Sequence, residues 1–297
     1  MILEQRYGAA QTALRATESL QRRATAGQAS SPDTFRHEMF RTGWQLISEG
    51  RATGSLVNLV NDMLWAMEGC DTPHELQSAV TESIARFRHH LNQRVIDTAT
   101  QGLSVLTLTH HVLIYGYSTT VQYTLQHALR NGHRMTVTCL NHVDTFEHQE
   151  LLNRISAIGL TVDSIDVSQL PHHLHQYDAV MVGADTLDMY GLTNRRGTND
   201  LALLSAEAGV PFFTFCTSEK FLADVFYTGQ CTNEFITATS QRISTEHPLV
   251  NDRTSLNNIT GIITERGPLT APAVEAWLAA ERLHPWLVGA GTILPHP

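Results

Sequence analysis

From Leu103 onward the chain alternates short β-rich runs with helical stretches, and no other feature restricts the possible folds as much. The β-rich runs fall at 104–109, 112–116, 135–140, 160–167, 179–184 and 211–217, with helical stretches between them at 119–130, 145–158 and 198–208. Strands separated in this way imply a parallel sheet with crossover helices. The first hundred residues carry only helical spacing, as in Leu56, Leu59, Val60, Met63 and Leu64. Breaks at 27–33 and 69–73 divide them, with Ser31 or Asp33 and then Thr72 as cap candidates and Pro73 suited to a first helical turn. The helix after Thr72 is expected to run to about Ala99, which puts a boundary near residue 100. After it the fold class is α/β. A run at 258–267 and an amphipathic helix through Leu283 close the chain.

Composition narrows the function. The 297 residues carry a formal net charge of -9, which argues against a direct nucleic-acid partner, since phosphate backbones are held by clustered Lys and Arg. No stretch reaches the roughly 18 apolar residues of a membrane span, and the N-terminus has no apolar signal core, so a cytoplasmic protein without a membrane partner is expected. Cys70, Cys139, Cys216 and Cys231 lack CxxC spacing and suggest buried thiols rather than zinc or disulfides. Among the 16 histidines, His110-His111 on a strand would face opposite ways and His89-His90 on a helix would diverge. No metal site and no cofactor is expected.

Two segments carry candidate chemistry. Val180 to Val182 reads as a buried strand that delivers Asp185 to its carboxyl edge, where ligands bind in open α/β sheets. That carboxylate suits a general acid, an acceptor for ligand hydroxyls, or a tie for the loop at 186–198. Just beyond it, Gly197-Thr198 opens a helix whose free N–H groups and dipole suit an anion. Ser118 stands between a strand and a helix, but Gly116-Tyr117-Ser118-Thr119-Thr120 lacks the second glycine of a nucleophile turn. Capping the helix or donating to an anion fits it better.

The blocks Val112 to Val121, Val182-Gly183-Ala184-Asp185, Asn194-Arg195-Arg196-Gly197-Thr198, Gly209 to Phe213 with Lys220-Phe221, and Thr260 to Gly267 resemble one family in order and spacing. It comprises the alpha, beta and delta regulatory subunits of translation initiation factor 2B and their enzyme relatives, the methylthioribose-1-phosphate and ribose-1,5-bisphosphate isomerases. Arg51-Ala52-Thr53, followed by Leu56 and Asn58, extends the resemblance into the helical part. It implies an all-helical N-terminal domain at 1–100, a Rossmann-like C-terminal domain at 101–297 with a mainly parallel sheet, homodimers, and a site in the crevice between domains. There the isomerases use a Cys and an Asp to convert a sugar 1-phosphate from aldose to ketose.

By position the Asp is Asp185, and the Cys is replaced by Gly116, which has no side chain to move a proton. Tyr117-Ser118 resembles the regulatory-subunit pattern. Asn194 and Arg195 stand where the isomerases have Asn and Lys, and Arg51 and Lys220 match the family's further cations. The family's Arg-Pro after the second strand is missing at 139–142, and its two prolines are missing at 251–255. The expected partner is a phosphorylated small molecule, a sugar phosphate or nucleoside monophosphate, bound without efficient isomerase turnover. One alternative is a pentose 1-phosphate isomerase in which Tyr115, Tyr117 or Cys139 replaces the thiol. Another is an interaction subunit with a vestigial pocket.

Overall fold

The computed structural model describes residues 8–26, 29, 31–49, 52–107, 109–141, 145–223 and 251–293. Their helices are α1 (Ala9–Ala26), α2 (Pro32–Glu49), α3 (Gly54–Ala66), α4 (Pro73–Leu106), α5 (Thr119–Arg130), α6 (Thr145–Ala157), the short α7 (Leu170–His173), α8 (Thr198–Ala208), α9 (Ala271–Ala280) and α10 (Pro285–Ile293). The strands are β1 (His111–Tyr115), β2 (Thr136–Asn141), β3 (Thr161–Asp166), β4 (Ala179–Val182), β5 (Thr186–Asp188), β6 (Gly191–Arg195), β7 (Phe212–Phe215), β8 (Asn251–Thr254), β9 (Gly261–Thr264) and β10 (Gly267–Leu269). These described residues cluster into two compact units, one helical and one built on the sheet.

The helical unit holds the chain up to Asn92, together with described residues 219–223 and 277–293. Capping starts its helices where the sequence places the signals. Ser31 Oγ accepts from Thr34 N at 3.2 Å. Thr72 Oγ1 accepts from Glu75 N at 3.2 Å while Glu75 Oε2 accepts from Asp71 N and Thr72 N, both at 3.0 Å, a reciprocal box that satisfies donors no helix can pair internally. Helix α3 buries Leu56, Val57, Leu59, Val60, Met63 and Leu64, more than a one-sided stripe. Its two asparagines gather later parts of the chain. Asn58 Nδ2 donates to the carbonyls of Glu219 and Phe221 at 2.9 and 2.6 Å, and Asn61 donates to Arg282 O and accepts from His284 N. Leu222, Ala223, Leu283 and Leu287 join the same core.

The second unit contains a seven-stranded sheet in the order β10-β9-β7-β4-β1-β2-β3, parallel throughout except where β10 runs antiparallel to β9. On one face Val112, Ile114, Val137, Cys139 and Met181 pack against Val121, Leu125, Leu151 and Ile155 from α5 and α6. The alternate residues Leu113, Val180 and Val182 are buried too, as a doubly covered parallel sheet requires. The chain steps outward from β1 through β2 to β3 and returns to β4 on the other side of β1. That reversal places a crevice outside the carboxyl ends of β1 and β4.

Three expectations from the sequence need correction. The run at 104–109 is not a strand: α4 continues to Leu106, which is fully buried in the sheet core beside half-buried Leu103 and Val105. Packing on the sheet overrides the local alternation. The stretch at 186–198 is not a plain loop, since β5 and β6 form a hairpin that β8 completes as a three-stranded antiparallel sheet. Helix α9 ends at Ala280 rather than Leu283.

Candidate functional site

Gly116 ends β1 with φ +73°, a conformation that side chains with a Cβ rarely adopt. An ideal Cβ there would lie 3.5 Å from Cδ of Arg195, so the arginine stem is laid across the glycine. On the next strand a Cβ at Gly183 would stand 2.6 Å from Ser118 Oγ, and only glycine permits that approach. Ser118 itself caps α5, its Oγ accepting from Val121 N at 3.3 Å. Tyr117 is half-buried. Its hydroxyl accepts from the Arg154 guanidinium at 3.3 Å, and that guanidinium also sits 4.8 Å from the ring centroid.

The carboxylate of Asp185 is half-buried and tied: Oδ2 accepts from Asn251 Nδ2 at 3.0 Å, and its backbone N–H donates to Thr193 O. Asn251 is also the register partner of Arg195 in the β6–β8 pair, so the residue that ties the acid sits on the strand beside the cation's backbone. Asn194 is buried and donates to Thr198 Oγ1 at 3.3 Å, which in turn donates to Arg195 O at 2.5 Å. These bonds brace the turn that carries Arg195.

The start of α8 is not open to a ligand in the way the sequence suggests. Asp252 Oδ2 accepts from Gly197 N at 2.8 Å and from Asn199 N at 3.2 Å, so an internal carboxylate occupies the helix N-terminus. Burial pushes the Asp252 carboxyl above its ordinary range, outweighing the two amide donors. The family resemblance marks the segment 251–255 but not this capping role for Asp252, which sits in a polar run with no strand alternation.

Two of the possible thiol replacements are committed elsewhere. Cys139 is fully buried, and burial pushes its thiol up to about 12, far from a proton carrier at neutral pH. The Tyr115 hydroxyl donates to the carbonyl of Arg196. Arg51 lies outside the described residues, and Lys220 is buried in the helical unit. Gly116, Tyr117, Ser118, Asp185, Asn194, Arg195, Gly197 and Thr198 all lie within the sheet unit, with Gly116 against the Arg195 stem and Ser118 against Gly183, while Tyr117 is engaged with Arg154. A residue that sequence reasoning overlooked, His148 of α6, also feels the Arg195 charge. Among the described residues no three His, Cys, Asp or Glu side chains converge where a metal ion could be held.

The model of the initiation factor 2 subunit family matches residues 5–271. The chain belongs to that family. It is 27% identical over 220 residues to the ribose 1,5-bisphosphate isomerase of Archaeoglobus fulgidus, covering 72% of this chain and 67% of that one. The enzyme of the same name from Methanocaldococcus jannaschii is 24% identical over 94% of this chain and 92% of its own. Among solved structures, the tetrameric complex of eIF2B beta and delta subunits from Chaetomium thermophilum superposes with a TM-score of 0.72 at 20% identity, covering 94% of this chain and 91% of that one. Family membership thus spans both initiation-factor subunits and sugar-phosphate isomerases, on a shared two-part α/β fold. Among the described residues no helix is long and apolar enough to cross a membrane.

Proposed function

We propose that this protein binds a phosphorylated sugar or nucleoside monophosphate at the carboxyl edge of β1 and β4 without efficient isomerase turnover. The observation that carries this is Gly116 at φ +73° with Arg195 across it: the stem of a cationic side chain lies where the isomerase resemblance asks for a thiol. Arg195 takes the phosphoryl group through charge-assisted bonds, and Asp185 takes a ligand hydroxyl on its remaining oxygen. Because Asp252 fills the α8 terminus, anion recognition rests on the guanidinium rather than on the amides at 197–199.

Thermal unfolding with millimolar ribose 5-phosphate, AMP and GMP tests the reading. At least one is expected to raise the melting midpoint of the wild type and not that of Arg195→Ala. No response to any of them overturns it.

An isomerase is the second reading, favoured by the retained, partly exposed Asp185 and by relatives of that name over most of the chain. Tyr117 is then the remaining partner for proton movement. Conversion of ribose 1,5-bisphosphate that disappears in Asp185→Asn selects this reading. A homodimer accompanies either one, and the exposed Met189 and Tyr190 at the β5–β6 turn offer apolar surface for it. Light scattering of Tyr190→Asp, expected to report a smaller particle than wild type, checks that assignment.

A further inference from the structure

The register of the sheet fixes what stands beside Gly116. Ile114 pairs with Cys139 and Tyr115 with Val182, so two further steps along the β2 ladder and one along the β4 ladder put Gly116 between Asn141 of β2 and Gly183 after β4. Asn141 shares a face with Cys139, because alternate strand residues point the same way. Cys139 is the register partner of Ser164 on β3, and α6 packs on this face through Leu151 and Ile155. One turn earlier on α6, His148 reaches Ser164, with Nε2 2.7 Å from Oγ.

This corner holds unpaired buried acceptors. Asn141 Oδ1 and His148 Nδ1 are buried and make no hydrogen bond among the described residues. Asn251 Oδ1, on the strand paired with Arg195, is a third such atom. Assigning the Nε2 proton to the Ser164 bond leaves Nδ1 with a lone pair. Burial, then the Arg195 charge, hold the imidazole below its usual range and so keep it neutral. Buried acceptors without donors are costly, and a bound molecule rich in O–H groups is what relieves them.

We propose that Asn141 Oδ1 and His148 Nδ1 accept hydrogen bonds from sugar hydroxyls of the ligand whose phosphoryl group Arg195 holds. The site is therefore selective for a phosphorylated polyol over a plain phosphate ester. This rests on the ligand-binding reading above and names the part of the ligand that is read.

Calorimetric titration of the intact chain with ribose 5-phosphate and with ethyl phosphate, which keeps the charge and lacks hydroxyls, separates the two claims. Wild type is expected to prefer ribose 5-phosphate by about tenfold or more, and His148→Phe and Asn141→Leu to lose that preference with ethyl phosphate binding unchanged. Arg195→Ala weakens both ligands. Folded variants that keep the wild-type preference overturn the hydroxyl assignment and leave phosphate binding standing, whereas a wild type that binds neither ligand overturns both. If a variant does not fold, the His148 ring resonances of the wild type decide: they shift on titration with ribose 5-phosphate and not with ethyl phosphate, and the opposite result rejects the proposal.

Discussion

Two helices of the sheet unit begin beside the candidate residues, and they are finished by different means. Helix α5 is capped by Ser118, the residue immediately before it, a local device contained within residues 118–121. Helix α8 is capped by Asp252, which lies 55 residues beyond the Gly197 amide it accepts from. The first leaves Gly116 and Arg195 to define the crevice. The second spends a helix N-terminus, a ready anion site, on the chain's own carboxylate. Motif position alone does not reveal that the Gly197 and Asn199 amides are already taken, which is why the proposed function gives the anion to the guanidinium.

The largest expected effect follows from breaking the distant cap. Asp252→Ala is expected to lower the unfolding free energy by about 2 kcal/mol, since two backbone donors lose their acceptor at once. Urea denaturation measures this, and inorganic phosphate should then stabilise the variant more than it does wild type. Equal stability of the two proteins would remove the contrast between the helices.

Next comes Gly116→Ala, expected to cost roughly 1–2 kcal/mol because a Cβ is disfavoured in the left-handed region. A neutral result would mean that the turn relaxes. Breaking the local cap with Ser118→Ala should cost about 1 kcal/mol, with no gain in phosphate response. A gain equal to that of Asp252→Ala would erase the distinction drawn between the two termini.

The smallest effect is in pH dependence. Burial raises the Asp252 carboxyl, so the folded state holds its proton more tightly than the unfolded chain does. Stability from this group is then fully present at acid pH and is lost as pH rises from the ordinary carboxyl range through the raised folded value. The stability gap between wild type and Asp252→Ala should therefore narrow between acid and neutral pH, while the Ser118→Ala gap stays flat. A gap that widens instead would show that the amide donors outweigh burial.

How much was legible in the sequence varies with how far each signal reaches. Helices α5 and α8 end where their apolar spacing and flanking Ser118 and Gly209 say they should. Thr72 and Pro73 announce α4, yet its far end is misread because the run from Ser104 to Thr109 is rich in β-formers until the sheet core claims Leu103, Val105 and Leu106. Strand β8 is illegible: Asn251-Asp252-Arg253-Thr254 has no apolar residue, and its partner β6 lies more than fifty residues earlier. Asn141 is marked only as part of the segment where the family's Arg-Pro is missing, and His148 carries no local mark at all.

By itself the sequence determined the family, the alternation that makes a parallel sheet, and the glycine at position 116. Those are encoded in short windows, through periodicity, caps and motif order. Only the tertiary structure decided that Asp252 closes α8, that Asn251 ties Asp185 from the strand paired with Arg195, and that Asn141 and His148 keep buried acceptors unpaired. Each of these depends on side chains far apart in the chain meeting in low dielectric, where an unmet donor or acceptor is expensive and its partner need not be a neighbour.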